Sequence, residues 1–166
     1  MKSYPTLFGN LVVFASDGKL MLCDWEKSPL FPLHKAQLNS FTEDLITENK
    51  AIHLLDCYFK ERITDLLPLS FKQNLAIDPI GTDFRKAIWN LLLKIPYGQT
   101  ASYSDIARKM HSHPRAVANA IAHNPVSIFI PCHRVIGKNG SLTGYAGGMD
   151  AKRFLLDHEH LSEKLL

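Results

Sequence analysis

The residues with the clearest capacity for chemistry are Cys132 and His133, which are neighbours in the apolar run 128–136. A thiol is a weak nucleophile until it ionises, and a free cysteine titrates only near about pH 8.5. A histidine can take the thiol proton, and a carboxylate can fix the tautomer of that histidine and stabilise its cationic form. The downstream segment 155–159 ends in Glu159 and supplies such a carboxylate. These residue types favour an activated cysteine.

The same residues admit other interpretations. Adjacent side chains of an extended segment point to opposite faces, so a direct contact between the thiol and the imidazole is not guaranteed, although a bridging water would join them. A Cys-His pair inside an apolar run can also be structural. Zinc ligation with His158 or His160 is a third possibility, which the missing C-x₂-C or H-x₃-H spacing disfavours. The residues alone leave the nucleophilic and the structural Cys132 both open.

Two short helices are predicted upstream of Cys132, from Ser104 to Met110 and from Pro114 to about His123. The intervening His-Ser-His-Pro turn is short, and proline suits the first position of a helix. Such a pair is typical of a helix-turn-helix, although an ordinary packed helical hairpin gives the same pattern. The alanines of the second helix allow close approach to a narrow surface, and Arg115 is its one long cationic side chain.

The remaining elements suggest two units. Residues 1–78 contain two apolar runs across Ser16-Asp17-Gly18, a strong hairpin signal, and a helical stretch that follows Thr47 and continues to about Arg62. A proline and a glycine within residues 78–81 interrupt the chain and mark a boundary. Thr82 can then cap a helix from Asp83 to about Leu93, with Phe84 and Ile88 on its buried face. We therefore predict an α+β fold. It comprises a small supporting N-terminal α/β domain (1–78) with an antiparallel sheet, and a mainly helical domain (79–166).

Composition narrows the function classes. Three cysteines in 166 residues are too few for a disulfide framework, which favours a reducing compartment, and no apolar run approaches the roughly 20 residues that span a bilayer. We expect a cytoplasmic protein that does not bind membranes. Residues 1–78 hold 8 Lys/Arg and 10 Asp/Glu, whereas residues 79–166 hold 11 and 6. The positive field of the second half indicates a polyanionic partner.

The stretch Pro131-Cys132-His133-Arg134-Val135 resembles the active-site signature of the O6-alkylguanine-DNA alkyltransferases, also called methylated-DNA–protein-cysteine methyltransferases. The resemblance covers about 85 C-terminal residues in the order and approximate spacing of the family. It is weaker in the N-terminal half, where residues 6–11 and Trp25 are similar to the family's first strands. The chain resembles the stand-alone repair form. The other matching segments are 82–89, 95–98, 102–103, 114–117, 124–125, 144–148 and 155–159.

The resemblance implies a self-inactivating enzyme that reverses DNA damage directly. Cys132 would accept the alkyl group irreversibly, and His133, acting through a water and oriented by Glu159, would draw off the thiol proton. Tyr103 would protonate or hydrogen-bond the guanine ring as the base leaves. Asn124 would brace the turn between the recognition helix and the active-site strand.

The resemblance also implies a partner, double-stranded DNA that carries O6-alkylguanine or O4-alkylthymine, bound through the minor groove. Arg115 would enter the base stack as the damaged base flips out, and Ala118 would lie against the DNA. The base pocket would be walled by four residues, namely Val135, Tyr145, Ala146 and Gly147. Backbone carbonyls near Cys132 and Val135 would receive the exocyclic amine. We expect a monomer with no cofactor and no structural zinc.

Three rival functions remain at this point. A helix-turn-helix regulator would bind DNA without chemistry, and an alkyltransferase-like protein would hold the damaged base without repairing it, but in that class the acceptor cysteine is replaced. A cysteine hydrolase is disfavoured because Cys132 does not begin a helix, where a thiol pKa is lowered. Ala146 stands where some family members have serine, and the His-Ser-His-Pro turn is short. The tolerance for bulky alkyl groups therefore stays open.

Overall fold

A small sheet lies in the N-terminal half of the computed structural model, which describes residues 1–61 and 75–163, with the side chains of 1–60 and 75–160. Its strands are β1 (Lys2–Thr6), β2 (Gly9–Ser16), β3 (Lys19–Trp25) and β4 (Ala76–Ile77), paired in that order. The first three strands are antiparallel, as predicted. The two-residue β4 instead pairs parallel to β3 and was not predicted.

The predicted hairpin joins β2 and β3. Asp17 and Gly18 form its tip with φ angles of 49° and 74°, the left-handed pair that a two-residue type I′ turn requires. The Gly18 amide also donates to the Asp44 carboxylate at 2.9 Å, which connects the turn to the start of the next long helix.

Two helices follow the hairpin, α1 (Phe31–Ala36) and α2 (Leu45–Asp56). Helix α1 was not predicted. Helix α2 begins at Leu45, three residues before the start predicted after Thr47, because Asp44 caps it by accepting from the amides of residues 46 and 47. A π-helical turn, Cys57–Glu61, extends α2, and the predicted end near Arg62 lies outside the described residues.

The C-terminal half is mainly helical, as predicted. Thr82 caps its first helix through the Arg85 amide. Ile88 is buried on that helix, whereas Phe84 is 40% exposed and does not belong to the buried face that the periodicity suggested. The elements are α3 (Asp83–Leu92), β5 (Ala101–Ser102), α4 (Tyr103–Lys109), α5 (Pro114–Ala122), a 3₁₀ turn (Cys132–Arg134), β6 (Val135–Ile136) and α6 (Met149–Glu163).

Helices α4 and α5 form the predicted helix-turn-helix. A reciprocal capping box between Ser102 and Asp105 starts α4, and His113 caps α5 ahead of Pro114. Val117 and its neighbours on one face of α5 are buried against α4, so the opposite face of α5 is left available to a partner.

One continuous core extends through both halves. Leu11 and Trp25 of the sheet belong to the same buried cluster as Ile88 of α3 and Leu155 of α6. The division between residues 1–78 and 79–166 therefore stays a prediction from the sequence. In the described ranges, none of the helices combines the length and apolar character needed to cross a bilayer.

Replacing Ser102 with alanine should lower the free energy of unfolding by about 1 kcal/mol, because the amide of Asp105 loses its capping oxygen. Urea denaturation measures the change. Ser104→Ala is the matched control in the first turn of the same helix, and it should cause no loss because alanine is the better helix former. Equal losses in the two variants would contradict the assigned cap.

Candidate active site

Cys132 and His133 lie in a 3₁₀ turn rather than in the extended strand that the sequence predicted. Pro131 has φ −78° and ψ 64°, and its carbonyl accepts from the Arg134 amide at 3.1 Å, which closes the turn. Successive side chains in such a turn are about 120° apart rather than on opposite faces. The turn therefore directs Cys132 to a pocket and His133 into the core.

The pocket has a volume of about 570 Å³. Predicted site residues from separate elements line it, and so does the N-terminal segment 28–30, which was not predicted to belong to the site. His133, Glu159, Val135 and Gly147 are not part of the lining. The predicted residues that do line it are Tyr103, Arg115, Ala118, Asn124, Cys132, Tyr145 and Ala146.

A buried pair lies behind the thiol. His133 is fully buried, and its Nε2 lies 2.7 Å from Oε1 of Glu159. A carboxylate only accepts hydrogen bonds, so the proton of a neutral His133 is on Nε2 and the lone pair is on Nδ1. Nδ1 is buried and has no hydrogen-bond partner among the described residues. Burial lowers the pKa of His133, although Glu159 opposes that shift, and the imidazole is thus available as a base.

Glu159 is held by donors from three separate segments. Besides His133, its oxygens accept from Arg134 Nε at 2.8 Å and Nη2 at 3.0 Å, from the Gly98 amide at 3.2 Å and from the Tyr58 hydroxyl at 2.8 Å. Burial alone would raise the pKa of this carboxyl. The contacts with His133 and Arg134 outweigh burial and hold the pKa well below its usual range.

The Cys132 thiol is protonated at rest. It is 5% exposed, and burial raises its pKa, while Asn124, Lys152 and Ser127 act in the opposite direction without reversing the shift. Asp24, a buried carboxylate on β3, adds to the increase. The sulfur therefore needs a base before it can react as a thiolate.

Asn124 connects the end of α5 to the segment that carries the thiol. Its Oδ1 accepts from the Val126 amide and its Nδ2 donates to the Ile130 carbonyl, both at 3.0 Å. The side chain is 2% exposed. These contacts agree geometrically with the bracing position that the resemblance implied.

Lys152 is a residue that the sequence analysis missed. It is fully buried on α6 and donates to the carbonyls of Val135 at 2.6 Å and Thr143 at 2.8 Å. Burial lowers its pKa to about 8. The Val135 carbonyl, which the resemblance assigned to the exocyclic amine of the base, thus already has one donor and keeps a second lone pair.

The loop that carries Tyr145 and Gly147 rests on β3. The indole of Trp25 donates to the Tyr145 hydroxyl at 3.2 Å, and the two rings meet edge to face with centroids 6.1 Å apart. A Cβ added to Gly147 would lie 2.5 Å from the Trp25 ring. Gly147 therefore permits close packing on the indole instead of forming pocket wall.

Several contributors to the site lie far from the signature in sequence. Arg134 was inside the recognised motif, but its ion pair with Glu159 was not predicted. Tyr58 follows a helix of the N-terminal half and no pattern connected it to Glu159. The described ranges contain no group of three or more His, Cys, Asp or Glu side chains placed to hold a metal ion.

Comparisons with known proteins give concordant findings. Residues 83–161 match a family model described as "6-O-methylguanine DNA methyltransferase, DNA binding domain". The inducible methylated-DNA–protein-cysteine methyltransferase of Bacillus subtilis is 43% identical over 166 residues, which covers 93% of this chain and 91% of that protein. The methylated-DNA–protein-cysteine methyltransferase of Haemophilus influenzae is 34% identical over 160 residues, with coverages of 95% and 84%.

A solved structure shares the fold over nearly the whole chain. Mycobacterium tuberculosis OGT, determined in complex with DNA, superposes with a TM-score of 0.79 at 33% identity. The match covers 96% of this chain and 92% of that one. The likeness therefore extends to the N-terminal half, which the family model does not cover.

Acid should destabilise the protein through Glu159. The folded pKa of this carboxyl is lower than its unfolded value of about 4.5, so its contribution is complete above that pH and is lost as pH falls towards the folded pKa. Urea denaturation from neutral pH to about pH 3 should show this loss, and Glu159→Gln should flatten the pH dependence.

Asp78→Asn is the control for that titration. Asp78 also has a lowered pKa, from its contacts with Lys19 and Lys86, but its side chain is about half-exposed and its ion pairs contribute little. The Asp78 variant should keep most of the wild-type pH dependence. If Glu159→Gln lost stability with acid as steeply as the wild type, Glu159 would not be the responsible group.

Proposed function

This chain belongs to the methylated-DNA–protein-cysteine methyltransferase family, and on that premise we propose that Cys132 takes the alkyl group from O6-alkylguanine in duplex DNA. The activity is DNA repair by alkyl transfer, and DNA is the partner. The observation that supports Cys132 as acceptor is its position in the pocket, in front of a buried His133–Glu159 pair whose remaining imidazole nitrogen is unpaired among the described residues.

His133 removes the thiol proton through a water molecule. Its Nδ1 is the free basic atom of the pair, and a single water bridges groups that lie beyond direct hydrogen-bond distance. Glu159 fixes the tautomer and stabilises the imidazolium that forms. Arg134 and Tyr58 hold Glu159 in place, so the carboxylate stays oriented while the proton moves.

The transfer is a displacement at the alkyl carbon. The sulfur of Cys132 forms the new bond to carbon, the bond between carbon and O6 breaks, and its electron pair goes to the guanine ring. The ring takes one proton, for which Tyr103 is the donor. Burial raises the pKa of Tyr103, so its hydroxyl is protonated at neutral pH. The tyrosinate that remains is reprotonated from the His133 imidazolium through water, so the thiol proton ends, in net terms, on the guanine ring and both residues return to their starting forms.

The product explains why each molecule works once. A thioether does not hydrolyse, so no second step restores the thiol of Cys132. The reaction needs no cofactor, because the protein itself is both nucleophile and final acceptor. The enzyme is consumed in a single turnover.

The helix-turn-helix brings the damaged base to the pocket. Arg115 is exposed on α5 and Ala118 lies one turn further along, and both line the pocket that contains Cys132. The small alanine face suits close approach to the minor groove, while Arg115 fills the space that the flipped base leaves. Flipping costs a few kcal/mol, which is least for a damaged pair.

The pocket walls divide into direct and supporting groups. Tyr145 and Ala146 face the base, whereas Val135 contributes its carbonyl from behind and Gly147 seats the loop on Trp25. The N-terminal domain (1–78) supports this wall. A monomer contains every residue that the reaction uses, and phosphate contacts from the basic half make binding salt-dependent.

Incubation with a duplex that contains O6-methylguanine should methylate Cys132. The tryptic peptide 116–134 contains this cysteine alone, and its mass should rise by the replacement of one hydrogen with a methyl group. Cys132→Ala should abolish transfer but keep lesion binding, while Cys57→Ser should transfer normally. An unmodified 116–134 peptide, with the lesion intact, would refute the proposal.

Arg115→Ala should slow repair of duplex DNA by at least about tenfold, because the variant lacks the side chain that offsets part of the flipping cost. Repair of the same lesion in single-stranded DNA should change much less, since no pair has to open there. Arg153→Ala is the control, an exposed arginine on α6 that pairs with Asp150. An unchanged duplex rate in Arg115→Ala would exclude its assigned role.

A further inference from the structure

Ser127 lies beside the acceptor cysteine and has no part in the mechanism described so far. It is fully buried, and it lines the same pocket as Cys132. Its hydroxyl makes no completed hydrogen bond to any residue that the structure describes. A buried hydroxyl without a partner costs roughly 1–3 kcal/mol, so alanine would fill this position at lower cost if packing were its only role.

The turn that contains Ser127 is held in an unfavourable backbone conformation. Ile128 has a φ of 72°, a left-handed value that costs a β-branched residue roughly 1–3 kcal/mol. The Ile130 amide donates to the Val126 carbonyl at 2.9 Å, and Asn124 binds both of these residues. The same side chain that braces the acceptor segment thus fixes the turn and, with it, the Ser127 hydroxyl.

The atom near Ser127 that changes charge during the reaction is the Cys132 sulfur. Although no hydrogen bond is complete in the resting thiol, the Ser127 hydroxyl is close enough to lower the pKa of Cys132. Hydrogen bonds to an ionised acceptor are shorter and about twice as strong as those between neutral groups. Ionisation of the sulfur would therefore complete a contact that the neutral thiol leaves unmade.

We propose that Ser127 is a further catalytic residue, whose hydroxyl donates a hydrogen bond to the Cys132 thiolate and to neither the resting thiol nor the thioether product. No covalent bond forms or breaks at Ser127, and its proton stays on its oxygen. A thioether sulfur is a weak acceptor, so the contact is lost once the alkyl group arrives. Ser127 thus favours the one state of the sulfur that reacts.

Other groups also shift the pKa of Cys132, so the effect of Ser127 must be measured while those groups stay unchanged. Asn124 and Lys152 favour the thiolate, whereas burial and Asp24 disfavour it. None of these groups changes in a Ser127 variant. The remaining titratable groups around the sulfur are His133 on the same turn, Tyr103 on α4, Tyr145 on the pocket loop and Cys23 on β3.

The ultraviolet absorbance of the thiolate, titrated against pH, tests the contact in the free protein. Each protein is compared with a matching Cys132→Ser form, which removes the signal of the other cysteines and tyrosines. Ser127→Ala should raise the pKa of Cys132 by roughly one unit, because one charge-assisted hydrogen bond is lost. Ser127→Thr keeps a hydroxyl and should restore most of the shift. Ser16→Ala, an equally buried serine of β2, should leave it unchanged.

The rate of methyl transfer against pH separates a role in ionisation from a role in packing. Ser127→Ala should be about tenfold slower than wild type near neutral pH and should approach the wild-type rate at alkaline pH, where the thiolate forms without help. A packing defect would slow transfer by the same factor at every pH. This comparison needs only the alanine variant, so it stands even if the bulkier threonine does not fit.

The transfer measurement rests on the proposed function, whereas the titration does not. An unchanged Cys132 pKa in Ser127→Ala would overturn the proposal for Ser127 and leave Cys132 as the acceptor. A wild-type protein that never methylates Cys132 would refute the acceptor assignment, while the titration would still decide whether Ser127 binds the thiolate.

Discussion

The buried charge of Glu159 is the constraint on which the site depends. A carboxylate that is 1% exposed must be paired and hydrogen-bonded, since its desolvation would otherwise be prohibitive. Its donors come from the N-terminal half, from the loop after α3 and from the turn that carries the thiol. Each donor can reach the carboxylate only when its own segment is correctly packed. The alignment of His133 is thus a product of the whole fold rather than of the local motif.

The Cys132 thiol is held in its protonated, weakly nucleophilic form in the resting protein. Burial keeps the sulfur protonated, and His133, the base that we propose, is buried on the core side of the pocket. A protein that can react once gains from a low resting nucleophilicity, because any stray electrophile that alkylated the sulfur would waste the molecule. The proposed reaction requires both that the damaged nucleobase enters the pocket and that the thiol ionises. These two requirements restrict it to DNA that is already bound.

Much of the fold could be predicted from local signals. Asp17-Gly18, Thr82 and Pro114 each act over a few residues, and the hairpin and two helices that they mark are present. Elements without such signals were missed: α1 begins without a side-chain cap, and β4 has only two residues. The strand predicted at Cys132 is a 3₁₀ turn because the Arg134 amide bonds back to Pro131, which an apolar run does not reveal.

The site residues were likewise predictable only where a local sequence motif marked them. The motif indicated Cys132, His133 and Glu159, but Tyr58 and Lys152 act through contacts made only after distant segments pack. The Tyr58 contact also bears on how such proteins can diverge. The hydroxyl and the carboxylate that it binds are 101 positions apart, so the two halves of the gene are under joint selection. A chimaera that took residues 1–78 from a relative would have to supply an equivalent hydroxyl, or else Oε1 of Glu159 would keep only the donors His133 and Arg134.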